Sequence, residues 1–450
     1  MLKFNYQQDF KPLMRLVIPL ILTGLVGGLV YFFQTLFLAH IGAKALAAGA
    51  LVSWLNWLFV VIIFGILGAI NILVANHYGA QNFTKICHVV RDGLFLSLIL
   101  FVPTFFLFWN MSPIFLFLGQ KEPIVDLATP YLHALAWGLL PNFLVITLLE
   151  MMIGVGNTRV VFFITILSVL LTLFFNYVLM FGKWGFPNLG IAGAGWGCTI
   201  SNFITLSGFL AYLLITSRYR DYIVHVFHMG KPFYLLELLH IGLPMGLMYC
   251  VEVGFFFVLS LKIGSYSHEL LAANQIALQY LGVLIGAIFS IAQAITVRMG
   301  HLMGAEQYDD AYRASQAGCL IAFMFILFFS MIECFAPHWL ISLDFDTTLP
   351  ENQLLVTHAK TFLFLCGIFQ IFESIRIALF GALRSLKDTH FTLLVSFVTL
   401  WVIALPLGLF FEKHYWSYGQ GLWIGMIIAN ILSVFFLEWR LKKTLLNNFR

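Results

Sequence analysis

Residues 75–82 read ANHYGAQN, and residues 300–307 read GHLMGAEQ. Gly79-Ala80 in the first string falls on Gly304-Ala305 in the second, 225 positions on and half of a 450-residue chain. The same offset places Pro19, in IPL, on Pro244, in LPM, and Leu46-Ala47 on Leu271-Ala272. Farther along the offset drifts by a few residues, with Gly154 meeting Gly381 and Thr158 meeting Thr389, as loop insertions would produce. A chain that matches itself at a fixed offset is built from two copies of one structural unit.

The material between the matches is apolar. The chain is 61% hydrophobic and 10% charged, whereas a soluble domain carries about a quarter charged residues. Each helix that crosses a bilayer needs about 20 apolar residues. Breaks of charge, Gly and Pro delimit twelve such runs: 14–39, 51–75, 89–118, 130–154, 159–182, 191–216, 238–262, 271–300, 314–341, 355–383, 390–411 and 419–441. The first run opens near Leu16 and is too long for a signal-peptide core, so it counts as a membrane helix. The amphipathic stretch from Phe4 to Met14 before it is expected to lie at the interface.

Lys and Arg then orient the spans. One side receives 17 of them: Lys3, Lys11, Arg15, Lys85, Arg91, Arg159, Arg218, Arg220, Lys231, Arg298, Arg313, Arg384, Lys387 and a tail of Arg440, Lys442, Lys443 and Arg450. The other receives 6, namely Lys44, Lys121, Lys183, Lys262, Lys360 and Lys413. Both termini are therefore expected in the cytoplasm, and an even number of spans agrees by placing them on one side. With six spans per half, the second half re-enters in the orientation of the first, a parallel repeat. The expected fold is all-α: an N-lobe over 1–216, a cytoplasmic linker over 217–237 and a C-lobe over 238–450, around a central cleft. The linker holds Arg218, Arg220, His225, His228, Lys231 and Pro232. Pro19 and Pro244, matched in the leading helix of each lobe, read either as helix-start prolines or as hinges.

Charges inside the spans are the first functional candidates, because hydrocarbon makes them costly. Glu252 sits mid-span in MYCVEVGFF, with no ionisable residue within two turns of its own helix. A proton is the simplest relief of its charge, which makes it the expected primary proton carrier. Glu373 and Arg376, in FQIFESIRIALFG, are three apart and share a helix face, so an ion pair is expected between them. Glu150 and Glu333 lie nearer span ends, where a carboxylate reaches water, and are read as structural. At the repeat offset Glu252 falls on Gly27, so the carboxylates of the coupling site belong to the C-lobe alone. The N-lobe offers neutral groups, among them Gln34, Thr172 and Asn176, as cleft residues or as interhelical hydrogen-bond partners. Tyr249, Tyr280 and Phe369 are the aromatic cleft candidates, suited to flat cationic ligands.

Several functions are disfavoured. There is no basic block of the kind that tracks nucleic acid. The six cysteines are scattered without a CxxC or Cys/His cluster, so neither a metal site nor a cofactor is expected. Clustered or paired aspartates, which a membrane-embedded enzyme would need, do not occur within the spans.

Seven strings in order, HIGAKALAAGAL, ANHYGAQN, GVGNTR, NYVLMFGKWGFPNLGIAGAGWG, IGLPMGLMYCVEVG, TVRMGHLMGAEQ and FGALRSLKDT, resemble the multidrug and toxic compound extrusion (MATE) family over nearly the whole chain. The resemblance implies export of organic cations and drugs against an inward proton or sodium gradient. The family's seventh-helix glutamate corresponds to Glu252, its tenth-helix acid to Glu373, and the aromatic one turn earlier to Phe369. Two positions depart from it: the first-helix aspartate of many bacterial members is Gln34, and one of a fifth-helix asparagine pair is Thr172, while Asn176 is kept. These departures favour protons over sodium. The expectation is thus a plasma-membrane (inner-membrane) antiporter for small, amphipathic cations, with a single chain sufficing. A lipid-linked saccharide flippase is the more distant alternative, disfavoured because Arg376 is the only mid-span cation and is already paired.

Overall fold

A computed structural model describes residues 9–224, 233–344, 347, 349, 352–416 and 418–448. Phe4, His225, His228, Lys231 and Pro232 of the sequence reading lie outside the described residues, as do Lys3 and Arg450. Twelve helices are long and apolar enough to cross a membrane, and no strand occurs among the described residues.

In chain order the first half comprises α1 (Lys11–Ile41), α2 (Ala43–Leu67), α3 (Ala69–Gly79), α4 (Phe83–Trp109), α5 (Met111–Phe117), α6 (Glu122–Gly154), α7 (Thr158–Phe181) and α8 (Ile191–Ile215). A short α9 (Ser217–Val224) follows. The second half comprises α10 (Leu235–Gly264), α11 (His268–Gly304), α12 (Tyr308–Phe335), α13 (Pro337–Asp344), α14 (Gln353–Ser385), α15 (Thr389–Phe397), a π-helical turn over Val398–Ala404, α16 (Leu405–His414) and α17 (Gln420–Asn448). α2 with α3 makes one span, and α15 through α16 another.

Two spans end before their apolar runs do. The third ends at Trp109 and the ninth at Phe335, and each is followed by a separate short helix, α5 or α13. Pro113 and Pro337 sit in the first turns of those helices, where a missing N–H costs nothing. The two breaks fall at equivalent places in the repeat, so the repeat extends to the ends of its helices.

Packing repeats as well as sequence. A Cβ on Gly93 of α4 would stand 2.6 Å from Cδ1 of Ile70. A Cβ on Gly318 of α12 would meet Cδ1 of Ile295, and both members of this second pair lie 225 residues beyond the first. Left-handed residues Gln81 and Glu306, each two residues past a helix-ending glycine, keep the same offset. The later pairing shifts slightly from the sequence reading. α6 ends at Gly154 and α14 at Ser385, so Gly381 lies a turn before the position equivalent to Gly154.

The chain forms two compact units, Ile18–Gly246 and Met1–Val17 with Leu247–Arg450. In the first, α6 packs on α8, α4 and α2, and α7 on α8. The buried carboxylate of Asp92 pairs with Arg91 at 2.7 Å and accepts the backbone N–H groups of Phe233 (2.6 Å) and Tyr234 (2.5 Å), fixing the entry to α10. In the second unit, α14 is central, packed on α11, α12 and α17.

Gly381 is where α14 approaches α11. A Cβ there would fall on the carbonyl oxygen of Ala292, and Thr296 Oγ1 donates to the Gly381 carbonyl at 2.7 Å. A backbone oxygen cannot rotate away as a side chain can. Gly381→Ala is therefore expected to lower stability by about 1–3 kcal/mol, read as a fall in melting temperature of the detergent-solubilised protein. Gly282→Ala in α11, whose Cβ would meet nothing within 4 Å, is the control and is expected to be neutral or slightly stabilising.

Pro19 and Pro244 are interior to α1 and α10, not at their starts. Each removes a helical hydrogen bond mid-helix, and Thr23 Oγ1 donates to the Pro19 carbonyl at 2.7 Å. The chain passes from one compact unit to the other beside each proline, at Val17/Ile18 and at Gly246/Leu247.

Candidate functional site

The second unit gathers four polar side chains, from four helices, around Arg376. Along α14, residues three apart fall on one face, so Glu373 lies a turn from Arg376 and meets it by a fork. Arg376 Nε donates to Glu373 Oε2 at 2.8 Å and Nη2 to Oε1 at 2.5 Å. The guanidinium's remaining side is also used. Nη1 donates to Glu252 Oε1 of α10 at 2.9 Å and to Ser396 Oγ of α15 at 3.2 Å. Ser396 donates to the same Glu252 oxygen at 3.1 Å, and Asn430 Nδ2 of α17 to Glu373 Oε2 at 2.8 Å. The ring of Phe380 covers the guanidinium, 4.8 Å from Cζ to centroid.

The expected Glu373–Arg376 pair is present. The expectation that Glu252 lacks a cation is corrected: its partner arrives from α14, 124 residues on, so scanning its own helix missed it. Arg376 is 1% exposed, Glu373 2% and Glu252 8%, which ranks the carboxylates by access. Both hydrogen bonds to Glu252 fall on Oε1. Its Oε2 has no hydrogen-bond partner among the described residues and is not sealed from the surface. An open carboxylate oxygen beside a saturated one is where a proton or a cation can arrive.

The charge balance gives the site its chemistry. Two carboxylates and one guanidinium carry a net charge of −1 when all are ionised, and none when one carboxylate holds a proton. Burial makes the uncompensated charge costly, so the cluster favours acquiring one positive charge.

The surroundings hold these groups in place. Phe369 is 1% exposed and packs edge-on to Phe256 (6.3 Å) and Trp423 (5.8 Å). It packs in the hydrophobic core beside the cluster. Tyr280 joins the same core and spends its hydroxyl on the Leu340 carbonyl at 3.0 Å. Tyr249 is 9% exposed; Phe289 lies edge-on to it at 5.4 Å, and the guanidinium of Arg384 sits over its ring at 5.5 Å. Directly after Ser396 the backbone widens into the π-helical turn, and Trp401 within it donates Nε1 to the Val251 carbonyl at 3.1 Å. That bond ties the irregular turn to the backbone beside Glu252. Single π turns recur at functional sites.

In the first unit the neutral candidates are engaged with neighbours. Gln34 Nε2 donates to the Tyr131 hydroxyl. Thr172 bonds back to the Ser168 carbonyl of its own helix at 2.8 Å. Asn176 is fully buried against Gly197, with Cys198 Sγ 3.9 Å from its amide. The contacts of Gln34 and Asn176 run between helices, whereas that of Thr172 stays within its own helix.

Ser396 and Asn430 were not expected at the site. Mid-span polarity was the available signal, in LLVSFV and MIIANIL. Glu150 and Glu333 were expected to reach water, yet they are 0% and 2% exposed. Each meets a carboxamide instead, Glu150 with Asn71 at 2.5 Å and Glu333 with Gln370. No cluster of His, Cys, Asp and Glu that could hold a metal occurs among the described residues.

The MatE family model matches residues 19–178 and 244–410, one block in each half. A "Probable multidrug resistance protein NorM" of Pseudomonas aeruginosa is 30% identical over 446 residues, covering 97% of this chain and 91% of that protein. Another of that name from Mesorhizobium japonicum is 27% identical, covering 96% and 94%. Among solved structures, an outward-facing multidrug resistance MATE family transporter superposes with a TM-score of 0.84 at 21% identity over 96% of each chain. A MOP superfamily transporter from Pyrococcus furiosus gives 0.86 at 20% identity over 98% of this chain and 96% of that one. Those structural likenesses bear on the fold, all-α with twelve spans. The sequence match in both halves, with a relative at 30% identity over nearly its full length, makes this multi-pass membrane protein a member of the MatE family.

Proposed function

We propose that this protein is a multidrug efflux transporter that exports small organic cations in exchange for protons. The observation that carries the reading is the buried cluster in which Glu252 and Glu373 share Arg376 while Glu252 Oε2 stays open. A proton and an organic cation each supply the one positive charge the cluster lacks, so they exclude one another. Competition for one negative charge is what turns two separate binding events into antiport. The relatives' names, multidrug resistance proteins, support the substrate class.

In the proposed cycle the lobes 1–216 and 238–450, joined by 217–237, rock about a central cleft and open to one face at a time. Pro19 and Pro244, mid-helix and beside the change of compact unit, serve as hinges. Outward-facing, Glu252 takes a proton and the cation leaves; inward-facing, the proton leaves and the next cation binds. The Lys and Arg distribution supports an inner-membrane orientation with both termini cytoplasmic. A single chain holds every group the cycle uses.

The test is efflux of a dye cation from proteoliposomes, with proton and sodium gradients imposed separately. A pH gradient alone is expected to drive efflux, and replacing sodium by choline at fixed pH is expected to change nothing. Efflux driven by sodium and indifferent to pH would replace the proton reading by a sodium one.

A further inference from the structure

Beyond the cluster, the buried carboxylate of Glu333 has no counter-ion among the described residues. Glu333 lies on α12 and is 2% exposed. Its one amide partner is Gln370 Nε2. The groups acting on it from the packed helices are that amide and the thiol of Cys366 on α14, with the Cys334 thiol beside it on its own helix. A carboxylate in hydrocarbon supported by one amide and one thiol, with no cation, is poorly compensated.

Gln370 supplies the second half of the argument. Its Oε1 is sealed from the surface and accepts no hydrogen bond. A buried acceptor without a donor is costly, and once the amide turns over a protonated Glu333 is a donor for it. The two ends of a carboxamide exchange by rotation about the final bond. With Glu333 ionised, Nε2 donates to the carboxylate. With Glu333 protonated, its O–H donates to Oε1. Gln370 therefore accommodates either state, which a purely structural carboxyl would not require.

Position links this pair to the coupling cluster. Gln370, Glu373 and Arg376 follow one another at three-residue steps on the buried face of α14, at 0%, 2% and 1% exposure. Ser330 Oγ donates to the Gly367 carbonyl at 2.8 Å, one turn earlier on both helices, and holds α12 and α14 in that register.

We infer that Glu333, seated on Gln370, is a second proton-binding site of this chain, exchanged in the same cycle as the proton of the Glu252–Glu373 cluster. The inference rests on the proton-coupled reading above. On the proposed orientation Glu333 lies toward the outer end of the ninth span, so an incoming proton meets it before reaching Glu373. Nothing is transferred except the proton: it leaves the Glu333 O–H, and the Gln370 amide turns its N–H to the carboxylate.

The test is pH-difference infrared spectroscopy of the full-length protein in lipid, with the carbonyl stretch of protonated carboxyls as the signal and ethidium as the dye cation. A carbonyl band that titrates, responds to ethidium, disappears in Glu333→Gln and persists in Glu252→Gln is expected. In parallel, protons released per ethidium bound are expected to fall from about two to about one in Glu333→Gln. A band insensitive to pH and ethidium would overturn the proposal, as would an unchanged proton count. If Glu333→Gln does not insert, Gln370→Leu removes the amide that serves both states. It is expected to move the midpoint of the same band, and an unmoved midpoint overturns the proposal. Loss of proton-driven efflux alongside a Glu333 band that still titrates with ethidium would sink the coupling reading and leave this site standing.

Discussion

Arg376→Gln is expected to cause the largest loss of stability of any single change at the site. The guanidinium makes four hydrogen bonds, two to Glu373, one to Glu252 and one to Ser396. Glutamine is too short to span these partners and carries no charge, so two buried carboxylates would face each other uncompensated. Removing one partner of a buried ion pair costs about 3–5 kcal/mol. Folding yield and melting temperature in detergent are the measurements. Arg376→Lys is expected to recover only part of the loss, because an ammonium keeps the charge and loses the fork. Arg376→Gln with Glu373→Gln is expected to recover more of it, since the net charge returns to −1 and a Gln–Gln pair satisfies itself. The two substitutions touch one network, so their effects will not add. A single variant that melts within about 1 kcal/mol of the parent would mean that Arg376 is present for transport alone.

How much of this was legible in the sequence follows the distance over which each feature is set. The halves, the twelve spans and the Glu373–Arg376 pair are local or periodic, and they read directly from offsets, apolar runs and three-residue spacing. The meeting of Glu252 with Arg376 is tertiary, a matter of how α10 packs beside α14, and nothing within two turns of Glu252 signals it. Asn430, 57 residues beyond Glu373, is hidden for the same reason. The π-helical turn occupies VTLWVIA, an apolar string with no glycine or proline to mark it. Its register depends on the Trp401 bond to the α10 backbone. Glu333 is not legible from the sequence because nearness to a helix end does not give it access to water. The neighbouring α14 covers that end, and the carboxylate is buried against Gln370.

Glu252→Gln is expected to abolish coupling while leaving the fold intact, and that contrast with Arg376→Gln makes it informative. Glutamine has nearly the shape of a protonated glutamate. Its amide oxygen can still accept from Arg376 and Ser396 as Glu252 Oε1 does. The remaining Arg376–Glu373 pair is neutral, so the melting temperature is expected to hold. What is lost is the negative charge for which proton and substrate compete. In the parent protein, lowering the pH fills Glu252 with a proton and weakens binding of a dye cation; raising it strengthens binding. In the variant, binding is expected to be weak and to keep only the shallower pH dependence that Glu333 supplies, about one proton released per dye bound in place of about two. It should be at least about tenfold weaker than the parent at the alkaline end, a loss of about 1.4 kcal/mol for one buried counter-charge. Efflux driven by a pH gradient is expected to fall to the leak of protein-free vesicles. Glu252→Asp keeps the charge on a stem one methylene shorter, so it should restore the pH dependence with reduced rate. Because the fold is retained, loss of efflux cannot be assigned to misfolding. If Glu252→Gln still binds the dye with the parent's pH dependence, the exchanged proton belongs to another group. Glu373, forked to Arg376 and bonded by Asn430, is then the next carboxylate to replace.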